Sequence, residues 1–98
     1  MMTDGAGCRA GDFIEINPMY LFRWEEAQQA HVLLYPEGIV KLNETAAEIL
    51  KLCDGDRTVD QMIGELEQKF TIDRERIASG VYKFLEEAHA KGWVRIKS

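Results

Sequence analysis

The chain has 98 residues and a formal net charge of −5, with hydrophobic residues at 46% and charged residues at 30%. A length of this order supports one core, burying roughly 60–65% of the surface the unfolded chain exposes, and the acidic balance opposes a partner held by its phosphates. The apolar runs fall far short of the ~20 residues that span a bilayer, and the start MMTDGAGCRAGDF has acids and glycines where an export signal needs a basic start and an apolar stretch, so a cytoplasmic protein without membrane contact is expected.

Residues 1–17 show no periodic pattern before Asp12 and are predicted as a disordered tail, leaving residues 18–98 as the domain. From Tyr20 the chain alternates, with Tyr20, Phe22 and Trp24 on one face of a strand and Leu21, Arg23 and Glu25 on the other. A polar loop over Glu26–Ala30 leads to a second strand, His31–Tyr35. The run Tyr35-Pro36-Glu37-Gly38 then predicts a tight turn, with Pro36 fixing φ and Gly38 going left-handed in a bulge. Gly38–Leu42 forms the third strand, and Asn43 caps the following helix by accepting from Thr45 or Ala46.

Three helices are predicted next. The first covers Glu44–Asp54, with Ala46, Ile49, Leu50 and Cys53 on one stripe and Gly55 as its stop. The second opens with the capping box Thr58-x-x-Gln61 and buries Val59, Met62, Ile63, Leu66 and Phe70. The third opens at Asp73, pairs Ile72 with Ile77 across its first turn, buries Ile77, Val81, Phe84, Leu85 and Ala88, and stops at Gly92. Trp93–Ile96 alternates as a short terminal strand. The expected fold is α+β and resembles a winged helix-turn-helix: a three-stranded antiparallel sheet followed by a three-helix bundle.

No catalytic constellation accompanies this pattern. Cys8 and Cys53 belong to no CxxC or Cys/His cluster, His31 and His89 stand apart, and no phosphate loop or activated nucleophile is present. We read the chain as a binding module rather than an enzyme, with no metal or cofactor. A DNA-reading winged helix is the first rival, but the third helix balances Arg74, Arg76, Lys83 and Lys91 against Asp73, Glu75, Glu86 and Glu87, so it lacks the surplus that phosphate neutralisation demands.

The segment WEEAQQAHVLLYPEGIVKLNETAAEIL, with ILKLCDG, the Phe84–Leu85 pair and the Gly92–Trp93 pair, resembles the PqqD family of pyrroloquinoline quinone (PQQ) biosynthesis over residues 17–96. Gly80 departs from the resemblance, since an acidic residue is expected there. The resemblance implies a peptide chaperone without a cofactor. It would bind a ribosomally made precursor peptide and present it to a radical S-adenosylmethionine enzyme that cross-links a Glu and a Tyr. It also implies that the peptide adds as a strand beside Gly38–Leu42 and rests on the third helix. A leader-peptide recognition domain serving another modifying enzyme is the second rival.

An uncovered sheet edge presents unpaired N–H and C=O groups to an extended peptide. The candidate edge is Gly38, Ile39, Val40, Lys41, Leu42 and Asn43. The facing wall on the third helix is assigned to Tyr82, Leu85, Glu86 and His89, while periodicity leaves the opposite flank, Lys83 and Glu87, open. Whether the chain is a monomer or a homodimer is left open, because a strand arm on a short loop is able to swap.

Overall fold

In the computed structural model, which describes residues 8–97, the chain forms β1 (Phe13–Ile16), β2 (Leu21–Glu25), β3 (Ala30–Tyr35), β4 (Gly38–Lys41), α1 (Glu44–Leu50), β5 (Asp54–Thr58), α2 (Val59–Lys69), α3 (Arg74–Ala90) and β6 (Val94–Lys97). The fold is α+β, with two antiparallel three-stranded sheets in the orders β2-β3-β4 and β5-β1-β6.

The first sheet is the expected one. Phe22, Leu33 and Val40 stand in one cross-strand row facing the core, and Leu33 is fully buried. Tyr35 lies directly opposite Gly38, so the Pro36–Glu37 loop holds two residues. Gly38 therefore stays out of the left-handed region, and the expected bulge is absent because the tight loop has no extra residue to accommodate.

Helices α1 and α2 begin where their caps place them, whereas Asp73 at the start of α3 makes no side-chain cap bond. Asn43 Oδ1 accepts from the Ala46 amide at 2.7 Å. In the capping box of α2, the Gln61 amide donates to Thr58 Oγ1 at 3.1 Å and the Thr58 amide to Gln61 Oε1 at 2.9 Å. Helix α1 ends earlier than expected, at Leu50, where the Leu52 and Cys53 amides turn back to Ile49 and Leu50. Cys53 is buried beyond that end, its thiol donating to the Ile49 carbonyl at 3.4 Å, and burial pushes its pKa up to about 12. It serves as a packed apolar group.

The second sheet corrects two expectations. Residues 1–7 of the predicted tail lie outside the described residues, but β1 is an ordered strand at the centre of this sheet, with Ile14 fully buried. Gly55, read as a helix stop, sits instead within β5 at φ 80°, where an added Cβ would approach Glu15 Oε1 and Lys97 Cδ to 3.3 Å. The segment Asp-Gly-Asp-Arg-Thr has no strand propensity of its own; pairing with β1 supplies the strand.

Glu48 ties α1 to α2. It accepts from Lys69 at 2.5 Å and Lys51 at 3.1 Å, and these bonds, the Lys69 bond first, hold its pKa below the ordinary 4.5. A carboxyl whose pKa falls on folding contributes stability above its unfolded value and loses it as pH drops through the folded one. Glu48→Gln is expected to cost about 0.5–1 kcal/mol at neutral pH and progressively less below the ordinary carboxyl value. Urea midpoints measured across pH check this, and a penalty persisting unchanged to about pH 3 would contradict the pairing.

Among the described residues no helix is long and apolar enough to cross a membrane.

Candidate functional site

Among the described residues strand β4 pairs with β3 alone, so its other side is an open edge. The Leu42 amide donates to the His31 carbonyl at 3.0 Å. Because inward and outward groups alternate along an antiparallel ladder, the N–H groups of Gly38 and Val40 also turn toward β3. Those of Ile39 and Lys41 then point out along the open edge. Side chains alternate as well: Val40 and Leu42 pack toward the core, while Ile39 is 49% exposed in a row with Leu34 and the exposed Leu21.

Between the end of β4 and α3 runs a groove of about 250 Å³. Lys41, Leu42, Asn43, Thr45 and Ala46 form one wall, and Phe84, Glu87, Lys91 and Trp93 the other. The lining combines the aromatic Phe84 and Trp93 with the charged Lys41, Glu87 and Lys91. The Phe84 and Trp93 rings lie 6.5 Å apart, and Lys91 Nζ sits 5.0 Å above the indole, a cation–π distance.

The end of α3 holds Trp93 in this position. Gly92 adopts φ 81°, its amide donates to the His89 carbonyl, and the Trp93 amide reaches back to Ala88 at 2.9 Å. This is a complete Schellman termination. Asn17 fastens it from outside, its Nδ2 donating to the Gly92 carbonyl and its amide to the Trp93 carbonyl, both at 2.9 Å.

The facing wall differs from the sequence assignment. Leu85 is fully buried in the core. At ~100° per residue, Tyr82, Glu86 and His89 lie roughly 140–160° around α3 from Phe84, on the side away from β4. The N-terminal segment is fastened to the start of α2: the Asp60 amide donates to the Ala10 carbonyl and the Val59 amide to the Asp12 carbonyl, both at 3.0 Å. Burial, followed by the charges of Asp60, Cys8 and Asp12, raises the Tyr82 pKa, and burial with Asp12 and Glu86 raises that of Cys8. Of the expected groove residues the structure brings together Lys41, Leu42 and Asn43, and it adds Phe84, Glu87, Lys91 and Trp93. Glu87 was legible as the open flank of the helix, and Trp93 as the residue following a glycine stop.

At the start of α3, Arg74 is engaged within the chain. Arg74 donates to Asp60 and Glu67, each at 2.8 Å. That leaves less charge there for a phosphate backbone.

The sequence profile described as "Coenzyme PQQ synthesis protein D (PqqD)" matches residues 30–94, the span that carries the open edge, the groove and both capping motifs. The chain belongs to the PqqD family. A "PqqA binding protein" of Methylococcus capsulatus is 46% identical over 82 residues, covering 84% of this chain and 86% of that protein. One of Azotobacter vinelandii is 41% identical over 85 residues, covering 87% and 91%. The PqqD fold is also that of a solution NMR structure of the PqqD truncation of Methylobacterium extorquens PqqCD, described as a functional, stand-alone RiPP recognition element. It matches with a TM-score of 0.77 and 28% identity, covering 92% of this chain and 96% of that one.

Proposed function

We propose that this chain binds a PqqA-type precursor peptide in PQQ biosynthesis, holding it as an added strand on β4 and presenting it to a radical S-adenosylmethionine enzyme. The observation that carries the binding mode is the outward pair of Ile39 and Lys41 amides beside the Phe84–Trp93 groove. The relatives named as PqqA binding proteins support the peptide; the enzyme partner follows from the family resemblance. Each backbone hydrogen bond nets only about 1 kcal/mol, and ordering a flexible peptide costs roughly 2–5 kcal/mol. The groove must supply the surplus, through side chains that enter between Leu42 and Phe84.

Titration of labelled chain with synthetic PqqA, followed by amide NMR, tests this reading. The Ile39 and Lys41 amides are expected to gain protection from exchange, and the Trp93 indole N–H to shift. Equal exchange of both edge amides with and without peptide would remove strand addition.

A further inference from the structure

A second concavity, of about 260 Å³, lies between α1, α2 and the first half of α3. Its lining is mainly apolar, from Ile49, Leu66, Phe70, Ile77 and Val81, with the half-exposed Ile72 beside them. The volume is below the roughly 300–1,000 Å³ of small-molecule sites and suits one or two side chains. Thr45 lines both this cavity and the β4–α3 groove. Gly80, also in its wall, precedes Phe84 by one helical turn on the same side of α3. The two concavities therefore adjoin at Thr45, along one side of α3.

Gly80 marks where the cavity meets the helix backbone. Glycine is the poorest helix-interior residue after proline, yet Gly80 has helical φ, and nothing lies within 4 Å of an added Cβ. Neither backbone strain nor crowding inside this chain calls for glycine there. Gly80 lines the cavity beside Ile77 and Val81, with open space where a side chain would start.

We propose that this cavity receives one apolar side chain of the precursor peptide, contributed by the flank that passes Asn43 as the peptide leaves β4. The proposal rests on the strand-addition reading above. It assigns Gly80 the role of admitting that side chain, so peptide choice is made at two places: the paired edge, and an anchor near the start of α3.

Labelled synthetic PqqA titrated against Gly80→Ala, Gly80→Leu and Lys41→Pro provides the test, with thermal unfolding of each variant. Both Gly80 variants are expected to melt at or above the parent, because each is the better helix former. Gly80→Ala should bind within about twofold of the parent, whereas Gly80→Leu, whose side chain occupies the cavity, should bind at least about tenfold more weakly, as for loss of one buried anchor. An alanine scan of the peptide should then find a single apolar residue whose removal weakens binding to the parent but not to Gly80→Leu. Parent-like binding by Gly80→Leu, with binding lost in Lys41→Pro, would overturn the cavity proposal and leave strand addition standing. Parent-like binding by both would overturn both readings. Independent, additive losses from Gly80→Leu and from every peptide alanine would also sink the anchor.

Discussion

Lys41→Pro is expected to weaken PqqA binding by at least tenfold, about 1.4 kcal/mol, while the chain unfolds near the parent temperature. The Lys41 N–H faces the open edge, so proline there removes no bond of the β3–β4 ladder, whose register runs through Val40 opposite Leu33 and the Leu42 amide on His31. It does remove a donor to the incoming strand and places a ring in its path. Val40→Pro is the counterpart. It breaks an inward ladder bond and strips a core-facing side chain, at a cost on the order of 2–4 kcal/mol from a total of 5–15. Lys41→Ala keeps the amide and should bind nearly as the parent does. Fluorescence titration and circular dichroism on all three variants decide the matter: equal affinity of Lys41→Pro and the parent would mean that the peptide does not pair with β4.

Gly92→Ala is expected to lower both stability and affinity. Alanine at φ 81° carries about 1–2 kcal/mol of left-handed strain, which for a domain of this size lowers the melting temperature by about 4–8 °C per kcal/mol. The same residue sets the direction in which Trp93 leaves α3, so relaxing the strain moves the indole out of the groove. Asn17→Ala should give a smaller effect of the same kind by releasing the Gly92 carbonyl. Because both act on one termination, the double variant should lose less than the two single losses combined. Full additivity, or unchanged peptide binding in Gly92→Ala, would show that the latch does not position Trp93 for the peptide.

The local signals of this fold were legible wherever a residue acts on its own neighbours. The Asn43 cap, the Thr58–Gln61 box, the Gly92 stop and the β2-β3-β4 meander each rest on contacts within a few residues. What stayed hidden depends on partners far along the chain. β5 is polar and glycine-containing, and becomes a strand only through β1, some 40 residues earlier; the FIEI run of β1 carries an alternation too short to mark a strand by itself. The groove face of α3 was ambiguous for a related reason. Apolar and aromatic residues occupy more than one side of that helix, from Ile77 and Phe84 to Tyr82 and Leu85. Which side meets β4 is decided by tertiary packing, with Phe84, Glu87 and Trp93 facing the end of β4, and periodicity within α3 carries no information about that.

The strand pair β1–β6 has one more consequence. Phe13 lies opposite Lys97, and Ile16 opposite Val94, so the start of the first strand and the end of the last lie side by side in a single ladder. Strand ends this close are suited to joining through a short bridge in a circular permutation. The same ladder couples tethering to stability: a graft that tugs Phe13 away from Lys97 unzips the sheet holding Ile14 in the core.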